Sequence, residues 1–298
     1  MHVKSIRRRV LRLYRTPRIQ LRSLLGPATF WVGIFGLLPL LFVVFYSFLT
    51  RGEWGTLEYI FTWENYSKLV NLQYLGTILR SVWLGTVTTF ICFLIGYPTA
   101  YWIALYGGKR KVLFLFLVII PLWTSDVVRM YALMFLLKDT GLLNIILKNL
   151  HIIDSPLRLL YNVPSVLIGL VYNYLPFMIL PLYAAIERLD VSLLEAAADL
   201  GAKPFQRFLK VTLPLTKGGV LSGSMLVFAP AIGTYIIPTF LGGAHVPMIG
   251  PLVARKFMIF RDWPFGSALA LLVITITIGV VIAAIRSAGG EEIYEELT

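Results

Sequence analysis

The sequence is poor in charge. Only 14% of its 298 residues are Asp, Glu, Lys or Arg, while 58% are hydrophobic and the mean hydropathy is +0.78. Soluble domains carry roughly 25% charged residues, so a soluble globular fold is excluded. The chain reads as an integral membrane protein, for which length sets no count of soluble domains. Cysteine is nearly absent. Cys92 alone stands in an apolar run, which rules out a disulfide within the chain and a cysteine metal cluster. The three histidines, His2, His151 and His245, are scattered without ligand spacing. No G-x-x-x-x-G-K-[ST] phosphate loop occurs, so no ATP site is expected in this chain. No cleavable leader is read either, because the first apolar run is too long for one and lacks a small-residue cleavage site. Acidic residues are scarce, 15 against 27 Lys and Arg, for a net charge of +12. In a soluble protein that excess would suggest nucleic acid. Here its distribution has a topological explanation, and no nucleic-acid partner is expected.

A helix needs about 20 apolar residues to cross the hydrocarbon core. Six segments qualify, at about 27–50, 76–106, 112–137, 161–188, 216–238 and 266–286. Pro121, Pro176, Pro181 and Pro230 fall inside the third, fourth and fifth, and predict kinks beside a cavity. Lys and Arg are concentrated on one side of these spans. Eight lie in the N-terminal arm (from Lys4 to Arg22), three in 107–111 and five in 188–217; Arg286 makes 17 of the 27. The positive-inside rule then places both termini and the 190–217 loop in the cytoplasm. The remaining connections, 51–75, 138–160 and 239–265, read as short interfacial helices with turns. Residues 1–26 form a basic arm suited to anionic membrane lipid. Residues 287–298, with Glu291, Glu292, Glu295 and Glu296, read as a solvated acidic tail.

The most informative stretch is 195–214, EAAADLGAKPFQRFLKVTLP, polar sequence between two apolar runs. Ser192 and Glu195 have capping-box spacing, which predicts a short helix over 193–200. Gly201 suits a left-handed C′ position and Pro204 the first turn of a second helix. Leu193, Leu194, Ala197 and Leu200 would form an apolar face, and Ala196–Ala198 would let a partner approach closely. Pro214 and Gly218–Gly219 would redirect the chain into the fifth span. Glu195, Ala196 and Ala197, then Gly201, Val211, Leu213 and Pro214, have the spacing of the "EAA" loop, and the chain resembles the permeases of ABC importers. The stretches 121–133 (PLWTSDVVRMYAL), 161–190 and 261–268 (RDWPFGSA) are similar to the permeases of bacterial spermidine/putrescine importers, over roughly residues 27–286.

The resemblance implies an all-α integral membrane protein of the bacterial inner membrane. Its six transmembrane helices would take the type I ABC importer (MetI-like) permease fold, with a cytoplasmic coupling helix. It implies a transport subunit and not an enzyme, with ATP and Mg bound by a separate dimeric ATPase. A second homologous permease, usually a different chain, and an external substrate-binding protein would complete the machine. The loop would dock on the ATPase, with Glu195 and Gly201 holding its shape and the apolar face, including Leu193 and Leu200, making contact. Polyamine would move inward by alternating access. Related branches carry opines, aminoalkylphosphonates or iron, and an ion-coupled secondary transporter is the remoter alternative.

An ionisable residue within a span is a functional candidate by default. Asp126 lies fifteen residues past Lys111, at roughly 22 Å depth on a continuous helical rise. A polyamine wants carboxylates for charge and aromatic faces for cation–π contact. Asp126 with Trp123, Thr124, Tyr131, Tyr172 and Tyr174 would supply both. Arg129, three residues on, would equally neutralise Asp126, and both readings stand. Asn173 either lines the path or bonds a neighbouring helix. Glu187 and Arg188 read as a pair near the inner edge, Gly219 and Gly223 as a close-packing G-xxx-G, and Asp262 as a cap on the last span.

Overall fold

The computed structural model describes residues 17–287, with side chains described over 25–286. An apolar run in a membrane has no water for its backbone groups, so each closes its hydrogen bonds within a helix. The first span is α1 (Pro17–Val32) and α2 (Leu38–Ser47), joined by a π-helical turn, Gly33–Leu37. A hairpin of β1 (Leu49–Arg51) and β2 (Leu57–Phe61) follows, then the short α3 (Glu64–Leu69) and the 35-residue α4 (Leu72–Tyr106). Next come α5 (Lys111–Ile119), α6 (Asp126–Leu137), α7 (Leu142–Asn149) and α8 (Val163–Glu187). The loop helices are α9 (Val191–Asp199) and α10 (Pro204–Arg207). The chain ends in α11 (Lys217–Gly233), α12 (Ile249–Met258) and α13 (Trp263–Ser287).

Among the described residues, five stretches are long and apolar enough to cross a membrane: Leu25–Ser47, Leu72–Tyr106, Asp126–Asn149, Val163–Glu187 and Trp263–Arg286. A sixth is counted if Pro204–Leu215 and Lys217–Gly233, bent by 73°, form one span. The expected 112–137 segment is not one helix. Pro121 lacks the N–H that would bond the carbonyl one turn back. The chain instead makes a 3-10 turn over Ile120–Trp123, runs extended through Thr124 and restarts at Asp126. Thr124 Oγ1 donates to the Pro121 carbonyl at 2.8 Å and closes the turn. A depth reckoned along one unbroken helix therefore does not apply to Asp126.

The core is a triad of α4, α8 and α11, with Leu84, Cys92, Leu170, Met178, Leu182 and Val227 fully buried between them. Small residues set the spacing. A Cβ at Gly219 would lie 2.5 Å from the Ala185 Cβ, and one at Gly223 would lie 2.9 Å from the Met178 sulfur. The expected G-xxx-G contact is thus the α11–α8 seam. α8 starts with a reciprocal cap: Asn162 Oδ1 accepts from Ser165 N–H (2.9 Å) and Ser165 Oγ from Asn162 N–H (3.2 Å). The first span is peripheral. It packs through α2 on α13, and no residue of its most apolar stretch is fully buried.

The 51–75 connection departs from the expected helices and turns. Leu57–Phe61 pairs back antiparallel on Leu49–Arg51, with Leu49 opposite Phe61 and, past a register shift, Thr50 opposite Glu58 and Arg51 opposite Leu57. The helix expected in 239–265 is α12, whereas α7, in the 138–160 connection, falls inside the apolar stretch Asp126–Asn149, which takes the place of the expected 112–137 span. Most of the basic arm and the acidic tail lie outside the described residues.

Candidate functional site

The 190–217 loop is built from closed hydrogen bonds. The Ser192–Glu195 capping box does not form. Asp190 precedes it, takes the N-cap position with extended backbone, and accepts from Ser192 N–H at 3.0 Å, so α9 starts two residues early. Hydrogen bonds from the Ser192 side chain and backbone hold the Asp190 carboxyl below its ordinary range. Glu195 is consequently an exposed residue in the helix body. At the other end, Gly201 N–H donates to the Ala198 carbonyl (2.8 Å) and Ala202 N–H to that of Ala197 (3.0 Å). This double closure is a Schellman motif. It needs a left-handed residue at C′, and Gly201 has φ +81°. Pro204 opens α10, where Gln206 Oε1 accepts from Lys203 N–H at 3.0 Å.

The expected single apolar face divides in two. Leu194 is buried and Ala197 half-buried, while Leu193, Ala196 and Leu200 are exposed. Spacings of three and seven residues put those three on one outward strip. Pro214 is exposed in the short turn Leu213–Leu215, just before the 73° bend. The bend is anchored inside by a bond that no local spacing announces. Buried Thr216 Oγ1 donates to the Thr212 carbonyl (2.8 Å) and shares a 2.7 Å hydrogen bond with the Tyr97 hydroxyl of α4. The Tyr97 ring also meets Phe208 edge-on at 5.1 Å. Between α4 and the loop lies a cavity of about 850 Å³, walled by Tyr97, Tyr101, Leu194, Glu195, Phe205 and Phe208 among others. At the same end Glu187 pairs with Lys111 (3.6 Å) and accepts from the Tyr183 hydroxyl, in place of the expected partner Arg188.

The candidate path residues are only partly gathered. Asp126 is the first residue of α6 and forms an ion pair with Arg129. Favourable interaction with the helix N-terminus and the guanidinium both act on its carboxylate. The pair is asymmetric: the Arg129 side chain is 7% exposed and that of Asp126 49%. Among the described residues, Arg129 Nε and Nη1 have no hydrogen-bond partner, and neither does Asn173 Oδ1 on α8, whose residue is 5% exposed. Tyr174 is buried, and its hydroxyl reaches the Pro230 carbonyl at 3.4 Å. The other aromatics point elsewhere. Trp123 meets Phe116 and Tyr131 meets Phe240, at 5.4 and 4.7 Å between ring centroids. Tyr172 lies on the exposed side of α8, and Thr124 is occupied by the Pro121 turn. Among the described residues, none of these rings stacks on another of the set.

A third polar cluster went unread in the sequence. Lys256 Nζ lies 4.8, 5.3 and 5.5 Å from the ring centroids of Phe265, Phe260 and Tyr74, and 3.8 Å from Asp262 Oδ2. Asp262 Oδ1 also accepts from Phe265 N–H at 3.3 Å, so it caps the start of the last span. Phe260, Asp262 and Phe265 lie within nine residues of Lys256, but no local spacing announces the Tyr74 ring, which comes from a distant part of the chain.

Comparison with known proteins fits these features. Residues 93–288 match the family model described as binding-protein-dependent transport system inner membrane component. The chain is 45% identical over 241 residues to the spermidine/putrescine transport system permease protein PotB of Haemophilus influenzae, covering 81% of this chain and 84% of that one. It is 40% identical over 252 residues to PotB of Escherichia coli K12, covering 85% and 91%. It is 34% identical over 282 residues to the inner membrane ABC transporter permease protein YdcU of the same organism, covering 89% and 88%. In fold it resembles a chain of a bacterial ABC transporter involved in the import of the acidic polysaccharide alginate. The TM-score is 0.73, with 16% identity over 95% of this chain and 98% of that one. That likeness establishes the architecture alone. With the family model spanning the end of α4, α8, the loop, α11 and the last span, and relatives of 40–45% identity covering most of its length, the chain belongs to the binding-protein-dependent transport system inner membrane components.

Proposed function

We propose that this chain is a membrane-spanning subunit of an ATP-driven importer of polyamines, spermidine and putrescine. The observation that carries the reading is the 40–45% identity to spermidine/putrescine permeases over 81–85% of the chain. ATP and Mg would be bound by a separate dimeric ATPase, and an external binding protein would deliver the cargo. A second, homologous permease would form the other wall of the path. Residues 27–286 are the membrane domain with the loop 190–217 as its handle. Both termini are cytoplasmic, with the basic arm 1–26 on anionic lipid and the tail 287–298 in water.

The handle suits its task physically. A lever transmits motion only if it does not deform. The cap at Asp190, the Schellman closure at Gly201 and the Tyr97–Thr216 bond leave α9 little freedom relative to α4 and α11. The outward strip of Leu193, Ala196 and Leu200 is the surface offered to the ATPase, and small Ala196 and Ala197 permit close approach. Pro214 stiffens the turn that joins the handle to α11. When the ATPases close, the handles of the two permeases approach each other, and the path between the triads opens outward. Cargo then passes a polar region made by Asp126 and Asn173, around which the rings of Trp123, Tyr131, Tyr172 and Tyr174 do not gather within this chain.

The test is uptake of labelled spermidine and putrescine by vesicles holding the complete reconstituted complex, with and without ATP. ATP-dependent uptake of either supports the reading. A complex whose ATPase responds to its loaded binding protein, yet which imports neither polyamine, keeps the importer and rejects the cargo.

A further inference from the structure

The most unusual electrostatic feature in the chain is Arg129. Its guanidinium is buried with one nitrogen on Asp126 and two left without partners. Burying such donors unbonded is costly, and an orphaned group of this kind calls for an explanation. A complementary acceptor, Asn173 Oδ1, is orphaned and buried on α8. The two lie at the same helix contact. Met130, next to Arg129, is fully buried, and its sulfur would lie 3.6 Å from a Cβ at Gly169, one turn before Asn173. Tyr174, next to Asn173, has its hydroxyl beside the Thr234 and Asn173 side chains and in the field of both Asp126 and Arg129.

We propose that Arg129 is a movable counter-ion with two berths, Asp126 and Asn173. The inference rests on the polyamine reading above. With the guanidinium on Asp126, the path offers no uncompensated carboxylate and lets a polycation leave. When α6 and α8 shift against each other during the transport cycle, the guanidinium turns to Asn173 Oδ1. The half-exposed Asp126 carboxylate is then free to hold an ammonium group. A fixed, uncompensated carboxylate would bind the cargo but would also retain it, because charge attraction grows as water is excluded. A counter-ion that comes and goes makes binding strong in one state and weak in the other, which directional transport requires. Arg129 is thus a positioning residue, acting on cargo through Asp126. The break at Pro121–Ser125 gives α6 an end free of α5, so the shift needs no bending of a continuous helix.

The proposal is tested by equilibrium binding of labelled spermidine to the complete detergent-solubilised complex, without the binding protein. Nucleotide-free and vanadate-trapped states are compared for wild type, Arg129→Gln, Asp126→Asn/Arg129→Gln and Asn173→Leu. Arg129→Gln should bind spermidine about tenfold tighter in the nucleotide-free state, while turnover in vesicles falls. The double variant should lose that gain. Asn173→Leu removes the second berth, so its vanadate-trapped state should bind several-fold more weakly than that of the wild type. A merely structural Arg129 would lower uptake with no gain in affinity, and that result in an assembled complex overturns the proposal. Should Arg129→Gln fail to assemble, Asn173→Leu decides, and vanadate-trapped binding equal to wild type overturns it. Wild-type vesicles that import no polyamine overturn the cargo reading and this inference together, whereas import by wild type with unaltered affinity in Arg129→Gln removes this inference alone.

Discussion

The loop at 190–217 and the break at 120–129 both interrupt apolar sequence with polar residues, and they are finished in opposite ways. In the loop, both ends of α9 are closed by Asp190 and by the bonds of Gly201 and Ala202. At the break, the helix restarts on an ion pair whose buried partner keeps two nitrogens unbonded, and Asn173 on α8 keeps an unbonded amide oxygen. Closed backbone bonds make one shape much better than its neighbours. Orphaned side-chain groups leave a second arrangement within reach. The first region is built to carry force unchanged and the second to change partners.

The sharpest way to break this comparison is at Asp126. Asp126→Asn strips a buried guanidinium of its one ionic partner. Removing one member of a buried pair costs about 3–5 kcal/mol, but the half-exposed carboxylate lets solvent screen the interaction, and about 1–3 kcal/mol is expected here. Thermal unfolding of the purified complex should shift down, and adding Arg129→Gln should recover much of the loss. A neutral effect of the single substitution would mean that the pair is not a strained junction, and the contrast with the loop would disappear.

Gly201→Val attacks the other region and should separate stability from coupling. A Cβ at Gly201 meets nothing within 4 Å, so the only penalty is backbone conformation at φ +81°. For an L-residue that penalty is roughly 1–2 kcal/mol. It falls on the exposed C-terminus of α9 and leaves the α4–α8–α11 core untouched. Uptake should drop about tenfold with little change in the unfolding midpoint of the complex. Equal loss of stability and transport would show that the loop is part of the folding core and not a handle.

Tyr97→Phe probes the join between handle and core. It keeps the ring against Phe208 and removes the hydroxyl that meets Thr216. A net hydrogen bond is worth about 0.5–1.5 kcal/mol. The expected result is about a threefold loss of ATP-driven uptake with ATP hydrolysis retained. Wild-type uptake would place the lever's stiffness elsewhere in the loop.

What was legible in the sequence follows from which interactions are local. Gly201 and Pro204 could be read because a left-handed C′ residue and a helix-starting proline act within a few positions. The spans could be read because about 20 apolar residues have one cheap conformation in a membrane, and Gly219 and Gly223 because small residues a turn apart mark a seam. Within the same motif the cap is ambiguous, since Asp190 and Ser192 are both good caps and the backbone takes the earlier one. Pro121 was seen as a kink, but only the structure shows that Thr124 completes a full break there. The Tyr97–Thr216 bond, the Tyr74 ring over Lys256 and the unbonded polar atoms of Arg129 and Asn173 bring in residues 44 or more positions apart, on helices that meet only in the folded chain. Nothing in local spacing encodes them.

The smallest expected effect lies at Asp190, and it bears on how closed the loop is. Its carboxyl is held below the ordinary value of 3.8 by the Ser192 hydrogen bonds, so the folded loop prefers the ionised form more than the unfolded chain does. The contribution is therefore fully present above the ordinary carboxyl value and is lost as pH falls through the depressed folded value. Amide exchange at the first turn of α9 should stay constant from neutral pH down to the ordinary carboxylate range and quicken only below it, after correction for intrinsic rates. Asp190→Asn keeps an oxygen acceptor at the cap and should abolish the pH dependence while leaving protection nearly intact. Asp190→Ala should lose protection at every pH. Protection that ignores both substitutions would mean that α9 is held by its core-facing Leu194 rather than by its cap, and the loop would then owe its rigidity to packing, as the triad does.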